Sequence, residues 1–495
     1  MKNIIVQAGG SGTRMNNLTS VKPKCLIPID GKPILFHLFD SNSDANFILI
    51  VDYCSDVIKK YIKKFRPDIK VKFIDTSIKS TSAGLLESIK YLNDESFYII
   101  WSDLLIKDKL NYKVTNDIGI GITNDFCNFP CRWSYENNKI IKKSNTLNGV
   151  AGIFWFKNKN LLINIDETKS LTSFLEKQNF SVFNIENIED IGTEDRFYKN
   201  HKNNRFFNKL IFQENTVKKE VVIEKYKQLI HDEVNWYNHV KQLNYDKIPK
   251  IFSENPFVME RLDGINPFNG VPDENFLLNC IKNIKKLHNL ETVESNVDEL
   301  NLIYYHKTFE RINDVSDIIP FFKDEFITIN NNKCINPFHK NNFIKFKEKI
   351  LNLNNIKNFN LIHGDCTFSN IINVHGECFL IDPRGYFGKQ KLYGDPRYDW
   401  AKLYYSFYGN YDNVNCKKYI IKINLNSVEY SIDTNGWEKY ENLFFKNISY
   451  SKEEIKLIHV LIWFSLCGYV IEDYSSILIS FYNGIVLWNE LNNLI

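Results

Sequence analysis

Residues 361–388, LIHGDCTFSNIINVHGECFLIDPRGYFG, place His363, Asp365, Asn370 and Asp382 at a spacing that suits phosphoryl transfer to a hydroxyl. Such a transfer asks for a carboxylate that orients the hydroxyl and accepts its proton, and for metal ions that bridge the β- and γ-phosphates. Asp365 reads as the base. Asn370 and Asp382, farther along the same stretch, read as an amide and a carboxylate for Mg²⁺. One base suffices for the reaction, so His363 reads as structural and Cys366 as an inert loop thiol.

The other end of the chain carries an unrelated signal, IIVQAGGSGTRMNNLTSVKPKCLIPI, at residues 4–29. Gly9, Gly10 and Gly12 follow an apolar run and precede a helix pattern, where backbone N–H groups can approach phosphate oxygens closely. The stretch is not GxxxxGK[ST]. It is not GxGxxG either, because Met15 stands where the last glycine would be. Arg14 and Lys24 sharpen the signal. A nucleotidyl transfer builds charge on the attacked phosphorus and on departing pyrophosphate, and fixed cations must meet it. The attacking phosphate monoester is already anionic, so alignment replaces a general base.

The elements that must carry these groups can be read from periodicity. Residues 2–8, 45–53, 71–76 and 96–103 are strand candidates, and 55–65 and 83–92 have helical spacing. Strands alternating with helices predict an α/β domain, Rossmann-like, with a mostly parallel mixed sheet. Its ligands belong at the carboxyl ends of the strands, where Gly9–Gly12 and Asp103 fall. The polar segment 197–206 marks a boundary. Beyond it, 207–213 and 219–226 read as antiparallel strands around a turn at Glu214 and Asn215, followed by a helix at 231–243 and a strand at 256–264 that leads to a hinge. From about residue 275 the pattern is mostly helical. This predicts an α+β, two-lobed, protein-kinase-like C-terminal domain. The expected boundaries are 1–200, 205–262 for the small lobe, and 263–495 for the large helical lobe.

The opening resembles that of sugar-phosphate nucleotidylyltransferases and phosphocholine cytidylyltransferases, AGGxGTRx(n)PKxLxPIxGKP. Here it stands as Ala8–Arg14, Pro23–Ile29 and Gly31–Pro33. The resemblance covers roughly residues 1 to 200 and implies nucleotide contacts at Ala8, Gly9, Gly10, Gly12 and Thr13. It also implies base and sugar contacts at Ser82, Ala83 and Gly84 within STSAGL, and catalytic roles for Arg14 and Lys24. WSDLLI puts Asp103 where that family keeps a Mg²⁺-binding aspartate, and IEDIGTEDRF makes Asp190 the second ligand. NGVAGIFWF (148–156) is similar to the acceptor-side strand. Trp101 reads as core. Gln7 replaces the more usual Leu or Ala, which leaves the base preference open.

HGDxxxxN followed by IDPRG resembles the aminoglycoside phosphotransferase and choline kinase superfamily, from about residue 205 onward. That resemblance implies Lys219 as the small-lobe lysine, with Lys225 as the alternative, and Glu233 as its helix partner. It implies Met259 and Glu260 as the hinge that meets adenine. Asp395 and Asp399, in YGDPRYDWAKL, read as braces of the catalytic loop, with substrate contact the lesser option.

Composition narrows the classes. The chain has 495 residues and a net charge of +3, with no basic stripe, so a nucleic-acid partner is not expected. The apolar stretch 457–471 is too short for a span and contains His459, so it reads as a buried helix without membrane insertion. The start turns to glycine after one short apolar run, which argues against a secretory leader and for a cytoplasmic protein. The ten cysteines include no CxxC. Cys127 and Cys131 lack a second zinc-spaced pair, so free thiols are expected. Oligomeric state is left open, a homo-oligomer included.

Together the two resemblances imply a bifunctional enzyme. ATP would phosphorylate a small alcohol, amino alcohol or sugar, and an NTP, with CTP favoured by analogy, would convert that phosphate to a nucleotide derivative for surface glycan or headgroup synthesis. Mg²⁺ is implied at both sites. Two other readings compete. In one, a nucleotidylyltransferase carries a non-catalytic kinase-like binding module, which ATP consumption by the C-terminal part decides. In the other, the kinase half inactivates antibiotics, a role for which a nucleotidyl domain has no use.

Overall fold

The computed structural model describes residues 2–93, 95–125, 131–142, 148–201, 208–224 and 227–494. Contacts divide it into two units. One comprises Met1–Lys202 with Glu472–Ser475, the other Asn203–Ile471 with Ser476–Ile495.

In the first unit, the apolar runs become β1 (Asn3–Gln7), β2 (Asn46–Val51), β3 (Val71–Asp75) and β4 (Phe97–Trp101), all parallel, in the order β3–β2–β1–β4. β1, β2 and β4 are buried almost throughout, as central parallel strands are. Helix α1 (Ile34–Ser41) follows the opening motif. Helix α2 (Ser55–Phe65) buries Ile58, Tyr61 and Ile62 at helical spacing and turns its lysines outward. The sheet continues through β5 (Ile118–Thr123), β6 (Ser134–Glu136), β7 (Lys139–Ile141), β8 (Gly149–Phe156) and β9 (Ser181–Asn184). β8 runs antiparallel to both β4 and β5, and β9 parallel to β5, so the second half of the sheet is mixed. Ile5, Ile50, Ile99, Ile120 and Phe154 share its core with Leu85 and Leu171. Strand order reverses between β1 and β4. α/β sheets open a ligand crevice at such a switch point, beyond the carboxyl ends of the strands.

In the second unit, β10 (Asn208–Phe212), β11 (Thr216–Val221), β12 (Ile251–Glu254) and β13 (Phe257–Glu260) form an antiparallel sheet in the order β10–β11–β13–β12. Helix α3 (Lys227–Gln242) follows β11 in sequence. A helical part includes α4 (Glu274–His288), α5 (Lys307–Asn313), α6 (Pro396–Phe407) and α7 (Lys452–Cys467). α7 packs on α5 and α6. Its one histidine is satisfied, because Trp463 Nε1 donates to His459 Nε2 at 2.8 Å. Among the described residues no helix is long and apolar enough to cross a membrane.

Several expected elements are corrected. The strand expected at 219–226 begins at Thr216, because the Gln213 N–H donates to Thr216 O at 2.9 Å and closes a tight hairpin. The helix expected over 83–92 is one turn, Leu85–Ser88, followed by a 3-10 turn, and it starts after Gly84 at φ +74°. The mostly helical part of this unit also holds an unexpected sheet of Phe326–Ile329, Asn332–Ile335, Tyr419–Ile423 and Val428–Ile432. Asn330 and Asn331 supply the left-handed turn of its first hairpin. The described cysteines are free thiols. Cys127 and Lys225 lie outside the described residues.

Candidate active sites

Sheet register assembles the first site. Gln7 pairs with Trp101 across β1 and β4, so the residues just beyond, Gly9 and Asp103, leave neighbouring strand ends. The chain after β1 turns sharply. A Cβ on Gly9 would stand 3.2 Å from the Asp52 Cβ, and Gly12 adopts φ +64° with Thr19 3.0 Å from its Cβ position. Around Gly10 nothing lies within 4 Å, so the fold does not require glycine there. The N–H groups of Gly9, Gly10, Ser11 and Gly12 donate to no group among the described residues. The segment after them corrects the expectation of a helix. Thr13–Thr19 is a 3-10 run broken at Asn16, so phosphate would be met by loop N–H groups and not by a helix dipole.

A short antiparallel pair, Leu104–Ile106 with Ile188–Asp190, brings the two expected metal ligands together, and the Ile191 N–H donates to Asp103 O at 2.9 Å. Lys24 is buried, with Nζ 3.1 Å from Asp103 Oδ2 and 3.4 Å from Gly192 O. Asp190 pairs with Arg196 through Oδ2, while its buried Oδ1, close to Gly192, has no hydrogen-bond partner within 3.5 Å among the described residues. Burial, then the like charge of Asp103, push the Asp190 carboxyl above its ordinary value against the pull of Arg196. A Cβ on Gly192 would sit 2.5 Å from Asp190 Oδ1, which explains glycine at that place. Burial and Arg132 push the Arg14 guanidinium down, and Asp103 and Asp190 act on it in the opposite sense. Arg14, Arg132 and Arg196 therefore share one neighbourhood with the two carboxylates. Arg132 and Arg196 escaped the sequence reading. Arg196 stood inside the DxGTEDR stretch, and Arg132 had no motif around it.

These donors fit Mg²⁺. Two neighbouring carboxylates, one with a buried unpartnered oxygen, make a hard oxygen site whose charge Lys24 and Arg196 balance in the metal-free chain.

Loop 80–85 lies at the ends of β1 and β2. Gly84 at φ +74° would place a Cβ 2.8 Å from Ile50 Cγ2, so only glycine lets the loop approach this closely. Ala83 is buried, and the fully buried Ser82 hydroxyl has no partner among the described residues. Gln7 Nε2 donates to Thr81 O, and Gln7 Oε1 is buried without a partner. Trp101 packs edge-on against Phe154 at 5.7 Å, as a core residue would.

In the second unit, Lys219 on β11 reaches Glu233 Oε2 of α3 at 2.5 Å and also pairs with Asp382. Burial would depress this ammonium, but Asp382 and Glu233 outweigh it and hold its pKa up. Asp382 sits at φ +58°, a conformation that a non-glycine residue adopts against a steric penalty, and its N–H donates to Tyr237 Oη at 3.1 Å. Asn370 Nδ2 donates to Asp365 Oδ2 at 3.1 Å and to Asp365 O at 3.0 Å. Lys402 lies 3.0 Å from Asp365 Oδ1. Burial would raise the Asp365 carboxyl, yet Lys402 and Arg384 hold it below its ordinary value.

His363 is neutral, pushed down by burial. Its Nε2–H donates to Ile381 O at 2.9 Å and its Nδ1 accepts from Asp365 N. Asp399 accepts the N–H groups of His363 and Gly364 at 2.8 and 2.7 Å, and His288 Nε2 at 3.0 Å. It is a loop brace. Asp395 is not, because it caps α6 and binds Arg397 and Tyr304. Met259 and Glu260 lie within β13, and the Glu260 N–H is donated to Lys250 O, so that donor is not available to an adenine.

Comparison with known proteins adds the family context. A family model described as nucleotidyl transferase matches residues 2–119. The bifunctional protein GlmU of Methanocaldococcus jannaschii is 33% identical over 178 residues, 33% of this chain and 42% of that protein. The D-glycero-alpha-D-manno-heptose 1-phosphate guanylyltransferase of Campylobacter jejuni is 29% identical over 161 residues, 29% of this chain and 72% of that protein. The crystal structure of HddC from Yersinia pseudotuberculosis matches at 24% identity with a TM-score of 0.35, covering 40% of this chain and 97% of that one. The chain thus spans about two fifths of the first curated relative it matches. Its N-terminal unit resembles sugar-phosphate nucleotidylyltransferases.

Proposed function

We propose that the chain performs two consecutive transfers on one metabolite: an ATP-dependent phosphorylation in the C-terminal unit, then nucleotidyl transfer in the N-terminal unit. The observation that carries the second step is the row of undonated N–H groups at Gly9–Gly12, in one motif with Arg14 and near the Lys24, Asp103 and Asp190 cluster. A phosphate monoester oxygen forms the new bond to the α-phosphorus of the NTP. The α–β bridging bond breaks, and pyrophosphate leaves with its electron pair. Arg14 and Lys24 neutralise charge on the triphosphate as it develops. Bound at Asp103 and Asp190, Mg²⁺ would supply further charge neutralisation.

CTP is the nucleotide we favour. Gln7 Nε2 must face the Thr81 carbonyl, which fixes Oε1 as an acceptor. That acceptor suits the exocyclic amine of cytosine and opposes the carbonyl at the same place in uracil.

In the C-terminal unit, the Lys219–Glu233 pair and the Asp365, Asn370, Asp382 set support a kinase reading. The acceptor hydroxyl oxygen forms the bond to the γ-phosphorus, the β–γ bridging bond breaks, and ADP leaves. Asp365 orients the hydroxyl and passes its proton to solvent. A depressed pKa suits that role, because the transition state is loose and little base strength is needed. Asn370 and Asp382 would hold Mg²⁺.

The test uses the full chain. Asp365→Asn should abolish phosphorylation while pyrophosphate release from a supplied phosphorylated substrate continues. Arg14→Ala or Asp103→Ala should stop pyrophosphate release and let the phosphorylated intermediate accumulate. A panel of the four nucleoside triphosphates reads the base preference. Loss of both activities in every variant would overturn two independent sites, and failure of the intermediate to accumulate would overturn the order.

A further inference from the structure

Lys402, Arg384 and Lys307 stand near Asp365, and Arg311 lies one turn from Lys307, more positive charge than that carboxylate can balance. Lys307 and Arg311 are one turn apart on α5 and so share a face, an arrangement in which like charges repel. Lys402 projects from α6 to Asp365 at 3.0 Å, and Arg384 follows the metal-binding loop, 3.3 Å from Tyr398 Oη. Lys307 feels the other three, and Arg384 acts on Arg311 as well. Lys307 is pushed far below the ordinary lysine value by burial, then by Arg384, Arg311 and Lys402, with Asp365 the one carboxylate opposing them. Burial and Arg384 push Arg311 down as well.

Three of the four have local support. Arg311 donates to Ser465 O and Oγ at 3.1 Å and lies over the Tyr469 ring. Arg384 lies over Tyr386, and Lys402 over Tyr398 and Tyr405. Lys307 has no ion pair and no hydrogen bond among the described residues. The residue is half-buried, and burial weighs most on its ammonium, which is left without a counter-ion among the described residues.

The cations stand on the Asp365 side of the unit. The nucleotide lysine answers to Asp382 and Glu233, and neither it nor Asp382 figures among the charges acting on Lys307. A cationic acceptor would meet four like charges here.

We infer that the acceptor of the C-terminal unit is an anionic alcohol, a hydroxy acid or acidic sugar, whose carboxylate or equivalent acid is held by Lys307 and Arg311 while its hydroxyl faces Asp365. This rests on the kinase reading and narrows it, removing amino alcohols. The acid group takes no part in the bond exchange. It binds, and the hydroxyl reacts.

The experiment compares matched probes with the full chain and ATP: glycerate against glycerol, gluconate against glucitol, and choline as the cation. Phosphorylation of the acids should exceed that of their neutral counterparts by tenfold or more in kcat/KM, with none of choline. Lys307→Met and Arg311→Gln should raise KM for the acid about tenfold, leave KM for ATP in place, and erase the acid-to-neutral ratio. Calorimetric titration of the same acids separates the two readings. Binding that depends on Lys307 without phosphorylation supports the anion site and sinks the kinase. Preference for a neutral or cationic probe, or acid binding indifferent to both variants, overturns the anion site whatever the unit catalyses.

Discussion

Lys219→Met removes the ammonium that serves both Glu233 and Asp382. Deleting one partner of a buried ion pair costs roughly 3 to 5 kcal/mol, because the other charge is left in a poor solvent. The Glu233 side chain is 3% exposed and the Asp382 side chain 21%, so Glu233 bears most of this and Asp382 relaxes toward water. The lower end, about 3 kcal/mol, is therefore expected. For a unit of this size that lowers its melting temperature by roughly 6 to 12 °C. The pH dependence has a definite sign. In the wild type the folded lysine is raised above 10.5, so its contribution is complete below that value and disappears only in strong alkali. In the variant both carboxylates lose their cation, and their folded pKa values rise above the unfolded ones. The deficit is then full at neutral pH and shrinks as acid protonates them. Scanning calorimetry of the full chain at pH 5 and pH 7.5 resolves this, with pyrophosphate release reporting the first unit separately. Lys219→Met/Glu233→Gln should recover part of the loss, since the pair is coupled. An unmoved transition at pH 7.5, or a deficit that grows on acidification, would refute the reasoning.

Other outcomes follow from single contacts. Gly192→Ala would drive a methyl group into Asp190 Oδ1, so pyrophosphate release should fall about a hundredfold while the melting temperature changes little; ordinary turnover would show that Asp190 is idle. Asp412, pushed up to about 6 by burial, destabilises the second unit progressively as pH rises from its unfolded value through 6. Asp412→Asn keeps an acceptor for the Ser369 N–H and should stabilise that unit at pH 7 by at most about 3 kcal/mol. Urea unfolding at pH 4.5 and pH 7 checks this, and parallel pH profiles for the two proteins would contradict it.

Where one interaction dominated locally, the sequence was readable. Continuous apolar runs between turn residues marked β1, β2, β3 and β4, and the spacing of Ile58, Tyr61 and Ile62 marked α2. The hairpin Phe326–Ile335 was hidden because its alternation is short and its asparagine turn also reads as loop. The helix expected after Gly12 failed because Asn16 takes φ +45°, which breaks the run, with Met15 and Leu18 on either side buried in the core. At the sites, groups set by motif spacing were legible, such as Lys24 beside Asp103 or Asn370 beside Asp365. Groups gathered by folding alone were not. In the first unit Arg132 comes near Arg14 only through packing, and in the second Lys307 comes near Lys402 and Arg384 in the same way.

Asp399 shows how much of the proposed phosphotransfer centre would lie outside its reactive atoms. One carboxylate ties the backbone of His363 and Gly364 to His288 at the end of α4. A descendant of this chain could therefore retain every signature residue and still fall silent through a change dozens of positions downstream. Inspection of such a descendant for an intact motif would report a living enzyme where only a ligand-holding shell remained.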